Sequence, residues 1–237
     1  MTAAPTLDYL LIERALSGSL PIDRLNLEET DFYEKYKPAF DVGRLANRMA
    51  QGYYAFLVAQ LVAANPQSIN SLPPAKALGE DPTGEVKRKD GTAHTLNLRH
   101  YLDLFREDHG VQREVLQSWA TGALLTLDVE LSPHKYFDHA PVLELVYHLR
   151  NAVAHGNRFN ITPKGRDRLK RYPAHNRSAP VKSPVGTVFE ITPSLSGPLL
   201  FDFMGPGDVL DLLQAVEVYL TRIRERHAAG ELSGLLR

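Results

Sequence analysis

Residues 141–157, PVLELVYHLRNAVAHGN, have the pattern of a single amphipathic helix with defined ends. Pro141 suits the first helical turn, because its missing N–H group would have no partner inside the helix. Gly156 and Asn157 suit the other end, because a residue with a left-handed backbone conformation commonly closes the last turn. The sequence therefore predicts a helix between these two signals, and we call it the motif helix.

The motif helix has an apolar side and a polar side. At roughly 100° per residue, its apolar residues fall on one broad arc that should face the core. The members of this arc are Val142, Leu145, Val146, Leu149, Ala152 and Val153. A polar row on the opposite side, with spacings of four, three and four residues, consists of Glu144, His148, Asn151 and His155. Such a helix does not need two histidines and an asparagine in line, so the row indicates a functional site.

The segment from Arg150 to Gly156, RNAVAHG, resembles the signature of the HEPN superfamily. In that signature an arginine, usually followed by a polar residue, precedes a histidine by four to six residues. The resemblance implies a metal-independent endoribonuclease that works as a homodimer, with the motif helices of two subunits facing each other across a shared cleft. It further implies that His155 is the acid–base residue, that Arg150 holds the scissile phosphate, and that Asn151 orients one of the two.

These residue types also fit the chemistry of RNA cleavage by its own 2′-hydroxyl group. Histidine can accept the proton of that hydroxyl, because its ordinary pKa lies near neutral pH. Arginine stays protonated and presents a planar fork to phosphate oxygens. On one ideal helix Arg150 and His155 would lie about 140° apart. Two motif helices related by a two-fold axis would instead bring the arginine of one copy to the histidine of the other.

The resemblance implies a role in a bacterial toxin–antitoxin or anti-phage system, with RNA as substrate and an antitoxin or other defence-system protein as partner. The alternative is a non-catalytic HEPN-type dimer that binds RNA, a nucleotide or a protein. In that case Arg150 and Asn151 would stabilise the dimer and His155 would cap the helix. A plain helical subunit of a larger complex is a third interpretation. Glu144 and His148 are either supporting residues for His155 or part of a polar surface.

A strongly basic segment follows the motif helix. Between Arg158 and Lys182 the chain has eight cationic side chains and only one carboxylate, that of Asp167, although its formal net charge is −1. Such a segment is typical of an RNA-binding loop, and equally of a solvated, partly disordered loop. The two interpretations are compatible, because a mobile basic loop can become ordered on RNA. The candidate RNA-binding residues are Arg158, Lys164, Arg166, Arg168, Lys170 and Arg171.

The rest of the pattern predicts a mainly α-helical, HEPN-like bundle in a single domain over residues 1–237, with a small β-hairpin before the C-terminal helix. Irregular loops are expected near residues 66–94 and 158–184, and residues 21–40 should be rich in turns, with their aromatic side chains packed on the domain. Besides the motif helix, the predicted helices cover residues 7–17, 41–65, 96–108 and 111–127 and begin again at Asp208. The hairpin is expected between residues 185–191 and 199–203.

The composition narrows the class of protein further. The chain has no cysteine, which excludes disulfides, thiol catalysis and cysteine-ligated metal sites. His134, His139 and His148 lack the spacing of a metal-binding pair, so no metal and no other cofactor is expected. No apolar run is long enough to span a membrane, and the first residues lack the pattern of a secretory signal. We therefore expect a cytoplasmic protein without membrane contact.

Overall fold

The computed structural model describes residues 27–77, 79–179, 181 and 185–222, and these are mainly helical, as the sequence predicts. The α-helices are α1 (Leu27–Ala64), α2 (Leu98–Glu107), α3 (His109–Leu131), α4 (Pro141–Ala154), α5 (Pro163–Arg171), α6 (Leu200–Phe203) and α7 (Pro206–Thr221). The strands are β1 (Thr83–Lys87), β2 (Ala93–Asn97), β3 (Ala174–His175) and β4 (Glu190–Ile191). The helix predicted at residues 7–17 lies outside the described residues.

The described chain falls into two compact units. One contains residues 27–49 and 124–222, and the other contains residues 50–123. Helices α1 and α3 each contribute residues to both units. The single domain expected over residues 1–237 stays a prediction.

The motif helix, α4, is the centre of the first unit. It packs against α6 and α7 and against the two short strands β3 and β4. Its predicted apolar arc is buried, and the largest fully buried side chains around it include Leu143, Leu145, Leu149, Phe159, Leu200, Leu213 and Leu220. The apolar half of the amphipathic pattern was therefore predicted correctly, because burial of that arc is what holds the helix in the core.

Helix α1 differs from its prediction at the N-terminal end. Residues 27–40 were expected to be rich in turns, whereas they continue the helix through Pro38. Tyr33, Tyr36 and Phe40 are buried, as expected for aromatic residues that pack on the domain, and their spacing of three and four is helical. Asp41, the predicted N-cap, lies inside the helix and forms ion pairs with Lys37 and Arg44.

The predicted hairpin before the last helix is wrong in position. An antiparallel hairpin exists, but it joins β1 to β2, within the segment predicted to be an irregular loop at 66–94. Near the last helix, β4 pairs with β3 over two residues, and residues 200–203 form the helical turn α6. The backbone of Leu199 already pairs with that of Arg158, and the amide of Leu200 donates to the carbonyl of Asn157 at 2.7 Å. Because Leu199 and Leu200 already make these backbone contacts, residues 199–203 do not form a strand that pairs with β4.

The second unit contains the β1–β2 hairpin, α2 and the adjoining parts of α1 and α3. Within it the ring of Tyr53 stacks on Trp119 at a centroid distance of 3.9 Å. The neighbouring face of α1 carries the exposed side chains of Tyr54, Val58, Leu61 and Val62. Despite this apolar face, none of the helices in the described ranges combines the length and apolarity that a membrane span requires.

The connector before the motif helix has an unusual backbone. Lys135, Tyr136, Phe137 and His139 all have positive φ angles, of 51°, 59°, 51° and 57°. A side chain with a Cβ atom destabilises the left-handed conformation by roughly 1–2 kcal/mol per residue. Hydrogen bonds to α3 and α7 hold two side chains of this connector. The hydroxyl group of Tyr136 donates to Asp128 of α3, and Asp138 accepts from the hydroxyl group of Tyr219 of α7.

Lys135→Gly is expected to raise the free energy of unfolding by about 0.5–1 kcal/mol, because Lys135 is exposed and glycine adopts its φ angle without strain. Chemical denaturation at pH 7 measures this difference. Lys135→Ala is the matched control and should give no gain, since alanine keeps the Cβ atom. Equal changes in both variants would show that the backbone at residue 135 is not strained.

Candidate functional site

The motif helix ends as the sequence predicts. Pro141 is its first residue, and His155 follows the last helical residue as the C-terminal cap. The amide of His155 donates to the carbonyl oxygens of Asn151 and Ala152 at 3.2 Å and 3.1 Å. Gly156 and Asn157 then take left-handed φ angles of 72° and 58°. The His155 side chain is exposed and, within the described part of the chain, has no hydrogen-bond or ion-pair partner.

Arg150 is half-buried and held by a residue that the sequence did not single out. Its Nε atom lies 2.8 Å from Oδ2 of Asp128 on α3, as an ion pair. Its Nη1 atom donates to Oδ1 of the adjacent Asn151 at 3.3 Å. Arg150 and Asn151 are therefore in contact, as expected for two residues of one site, whereas His155 lies beyond the last turn of the same helix.

Asp128 is a buried carboxylate with two partners. Only 7% of the residue is exposed, and besides Arg150 it binds the hydroxyl group of Tyr136, which donates to Oδ1. Burial and the bond to Asp128 raise the pKa of Tyr136 well above its usual range, so the phenol stays a donor. The available sequence signal was Asp128, one of two acidic residues in the leucine-rich segment LLTLDVEL, residues 124–131.

Two members of the polar row are buried, which corrects the expectation of a polar surface. Glu144 is 0% exposed and His148 is 3% exposed, because α5 covers this side of α4. Arg168 of α5 binds Glu144 with two bonds, Nε to Oε2 at 2.6 Å and Nη2 to Oε1 at 2.7 Å. Nδ1 of His139 is 2.7 Å from the same carboxylate. In the described residues, Glu144 and His148 thus contact α5 and the connector rather than His155.

Arg168 was expected to bind RNA, and its contacts are instead internal. Besides Glu144, its guanidinium group lies over the ring of Tyr147 at 4.0 Å and over that of Tyr136 at 5.2 Å. A cation held by a buried carboxylate and two aromatic rings has its main binding partners inside the protein. We therefore remove Arg168 from the set of candidate RNA contacts.

His148 is neutral in the folded protein. Burial lowers its pKa to about 4, and the nearby charge of Arg168 acts in the same direction. Its Nε2 atom is buried and has no hydrogen-bond partner among the described residues. A neutral, enclosed imidazole does not exchange protons with a bound substrate, so His148 is a packing residue of the α4–α5 contact.

The basic segment contains regular structure where an irregular loop was expected. Thr162 caps α5 by accepting from the amide of Gly165 at 3.2 Å, Pro163 is in its first turn, and Leu169 is buried. With Arg168 turned inward, the exposed cations among the candidate RNA-binding residues are Arg158, Lys164, Arg166, Lys170 and Arg171. Three of them also make local contacts, to the carbonyl oxygens of Gly197 and Ile161 and to the carboxylate of Asp167.

The described residues contain no group of three or more histidine, aspartate or glutamate side chains arranged to hold a metal ion. They provide an exposed imidazole after the last turn of α4, a half-exposed guanidinium group with an amide beside it, and exposed cations on α5. Comparison with known proteins finds no matching family model, no similar curated protein and no similar solved structure. Membership of the HEPN superfamily therefore stays a prediction.

Proposed function

We propose that this protein is a metal-independent endoribonuclease of the HEPN type, acting as a homodimer in a bacterial toxin–antitoxin or anti-phage role. The observation that carries the proposal is the end of α4. There an exposed His155, without a side-chain partner among the described residues, follows an Arg150–Asn151 pair whose guanidinium group is held in place. An imidazole available for proton transfer and a fixed cation are the two groups that cleavage of a phosphodiester by a neighbouring hydroxyl requires.

In the proposed reaction His155 accepts the proton of the RNA 2′-hydroxyl as its oxygen attacks the adjacent phosphorus. Arg150 of the second copy binds the phosphate oxygens and offsets the charge that develops on them. The bond from phosphorus to the 5′-oxygen breaks, and that oxygen takes a proton from water, to which His155 returns the proton that it accepted. The products are a 2′,3′-cyclic phosphate and a 5′-hydroxyl group, and no external nucleophile or metal takes part. Asn151 orients the guanidinium group through its contact with Nη1.

The exposed cations of the basic segment form the proposed RNA-binding surface. We define the α5 surface as the exposed side chains of Lys164, Arg166, Lys170 and Arg171. The Glu144–Arg168 pair holds α5 against the motif helix, so this surface is presented on a helix that contacts the site helix directly. Contacts of this kind bind phosphates without sequence preference and weaken as salt concentration rises.

Cleavage of a labelled structured RNA in the presence of a chelator tests the proposal. His155→Ala and Arg150→Ala are each expected to lower the cleavage rate at least about a hundredfold, which is the lower range for a general acid–base residue. His109→Ala, another exposed histidine, is the matched control and should cut like the native protein. Equal cutting by all variants, or none by the native protein, would contradict the proposal.

Mixing the two inactive variants tests the shared site. If Arg150 of one copy works with His155 of the other, heterodimers of the two variants contain one intact site. The mixture should then recover up to about a quarter of the native rate, since about half of the dimers are mixed and each has one working site of two. Recovery should need time for subunit exchange. Absence of recovery in confirmed heterodimers would place both residues in the same copy.

The non-catalytic dimer remains the second candidate, and the ion pair between Arg150 and Asp128 favours it. An arginine that forms an ion pair with a buried carboxylate can have a purely structural role. That candidate would give no cleavage, but binding of RNA, of a nucleotide or of a protein partner. Salt-dependent binding of an RNA with 2′-O-methyl groups, unchanged in His155→Ala and without cutting of the unmodified RNA, would support it.

A further inference from the structure

We propose that Asp128 is a positioning residue, which holds the guanidinium group of Arg150 by its Nε edge and leaves the Nη atoms to meet a phosphate. The part of this inference that concerns RNA cleavage rests on the proposed function. The coupling between the two side chains does not, since it follows from the contacts within one chain.

The first support is the difference in exposure across the ion pair. The side chain of Asp128 is 10% exposed, while that of Arg150 is 39% exposed. The carboxylate lies inside the unit, and part of the guanidinium group reaches solvent. An arginine has several N–H donors in a rigid plane, so fixing Nε sets the direction of the whole fork. Nε of Arg150 is buried and makes no hydrogen bond among the described residues, so Asp128 restrains it through the ion pair alone. With Nε at Asp128 and Nη1 at Asn151, N–H groups on the Nη atoms remain for a phosphate oxygen.

The second support is that Asp128 is itself held in place. Tyr136 donates to its Oδ1 atom, while Arg150 approaches Oδ2, so both carboxylate oxygens have a partner. The ring of Tyr136 lies under the guanidinium group of Arg168, which binds Glu144 of the motif helix. Asp128 therefore stands in a connected set of contacts from α3 through the connector to α5. A carboxylate whose Oδ1 atom is held by Tyr136 restricts where Arg150, the partner of its Oδ2 atom, can lie.

The third support is the strain in the connector that delivers Tyr136. Tyr136 and three of its near neighbours have left-handed backbones, although none is glycine. Strain of this kind persists where the surrounding contacts enforce it, and it concentrates at functional sites. A buried ion pair also adds little net stability compared with an apolar replacement. Positioning of Arg150 explains why this chain keeps a buried carboxylate and a strained connector at that place.

Nuclear magnetic resonance of the native protein labelled with ¹⁵N tests the coupling without any reaction. The Nε–Hε signal of Arg150 is assigned by its loss in Arg150→Lys. Asp128→Asn should shift or broaden that signal, whereas Asp103→Asn should leave it unchanged. Asp103 is the matched control because it forms a half-buried ion pair with Arg106 on α2, remote in sequence from the site. An unchanged Arg150 signal in Asp128→Asn would overturn the proposal, whatever the cleavage assay shows.

Steady-state cleavage then tests the role. Asp128→Asn should lower kcat at least about tenfold and change KM less than about twofold. The reason is that a misoriented guanidinium group of Arg150 loses its interaction with the phosphate mainly in the transition state. Asp128→Glu, which restores a carboxylate, should recover part of the loss, and denaturation should confirm that all variants are folded. Native kcat in Asp128→Asn would overturn the positioning role and leave the proposed function intact.

If the native protein cuts no RNA, the proposed function fails and binding decides the inference. The probe is then fluorescein-labelled 2′-O-methyl RNA, followed by anisotropy. Binding that weakens in both Arg150→Ala and Asp128→Asn would support positioning of Arg150 for a phosphate. Native binding in Asp128→Asn, or no binding by the native protein, would overturn it.

Discussion

Arg168→Ala is expected to lower the free energy of unfolding at pH 7 by about 3–5 kcal/mol, the range for breaking a buried ion pair from one side. The reason is the environment of Glu144. That carboxylate is fully buried and receives both bonds of the Arg168 fork, at 2.6 Å and 2.7 Å. Removal of the guanidinium group leaves a buried negative charge with His139 as its remaining partner among the described residues. It also removes the cation that covers the rings of Tyr136 and Tyr147.

Chemical denaturation of four variants makes this test specific. Lys170→Ala on the same helix is the matched control and should change the free energy of unfolding by less than about 0.5 kcal/mol, since its ion pair with Asp167 is exposed. The double variant Glu144→Leu with Arg168→Met should recover most of the loss, because two apolar groups replace the pair without leaving a buried charge. Glu144→Leu alone is the reciprocal single change, in which the cation of Arg168 loses its carboxylate. A loss for Arg168→Ala no larger than for Lys170→Ala would contradict the structure here.

His148 is expected to make the protein less stable as the pH falls from 7 to 5. The folded protein keeps its imidazole neutral, because burial and Arg168 lower the pKa to about 4. In the unfolded chain the pKa of a histidine is near 6.5, so the unfolded state binds the extra proton over most of this interval. The stability that the neutral imidazole contributes is therefore present above pH 6.5 and is lost as the pH falls towards 4. The linkage amounts to about 2 kcal/mol between pH 7 and pH 5.

Denaturation curves at pH 7 and pH 5 for the native protein and His148→Leu measure this linkage. Leucine fills a similar space and does not titrate, so the variant should lose about 2 kcal/mol less than the native protein over the same interval. His155→Ala is the matched control, because His155 lies on the same helix and is exposed. It should follow the native pH dependence. The same pH dependence in His148→Leu as in the native protein would show that His148 is not the group responsible.

The motif helix could be predicted from sequence almost to the residue. Its start at Pro141, its end before Gly156 and its buried apolar arc all follow from local rules about proline, left-handed residues and helical periodicity. The exposure of His155 could be predicted for the same reason, since a residue at the end of a helix has no following turn to cover it. Local sequence rules were sufficient for prediction where the residues that contact each other are also close in the sequence.

The polar side of the same helix could not be predicted in this way. Glu144 and His148 belong to a polar row in the sequence, but α5 covers them, and the residue that makes this burial possible is 24 positions away from Glu144. A carboxylate enters the interior only when a fixed cation comes with it, and periodicity carries no information about such a partner. The internal contacts of Arg168, which the sequence placed among the candidate RNA-binding residues, could not be predicted for the same reason.

The pairing of the short strands also could not be predicted from the sequence. Residues 185–191 and 199–203 both have strand-like composition, yet β4 pairs with β3, and residues 200–203 form a helical turn after Leu199 has paired with Arg158. Short apolar runs suit either state, and the available hydrogen-bond partner selects between them. By itself the sequence determined most of the helical segments, but neither the first part of α1 nor α5, together with the apolar core of α4 and the residue types at its end. Only the tertiary structure decided which charges are buried together and how Arg150 is held, because those contacts join segments that are distant in the chain.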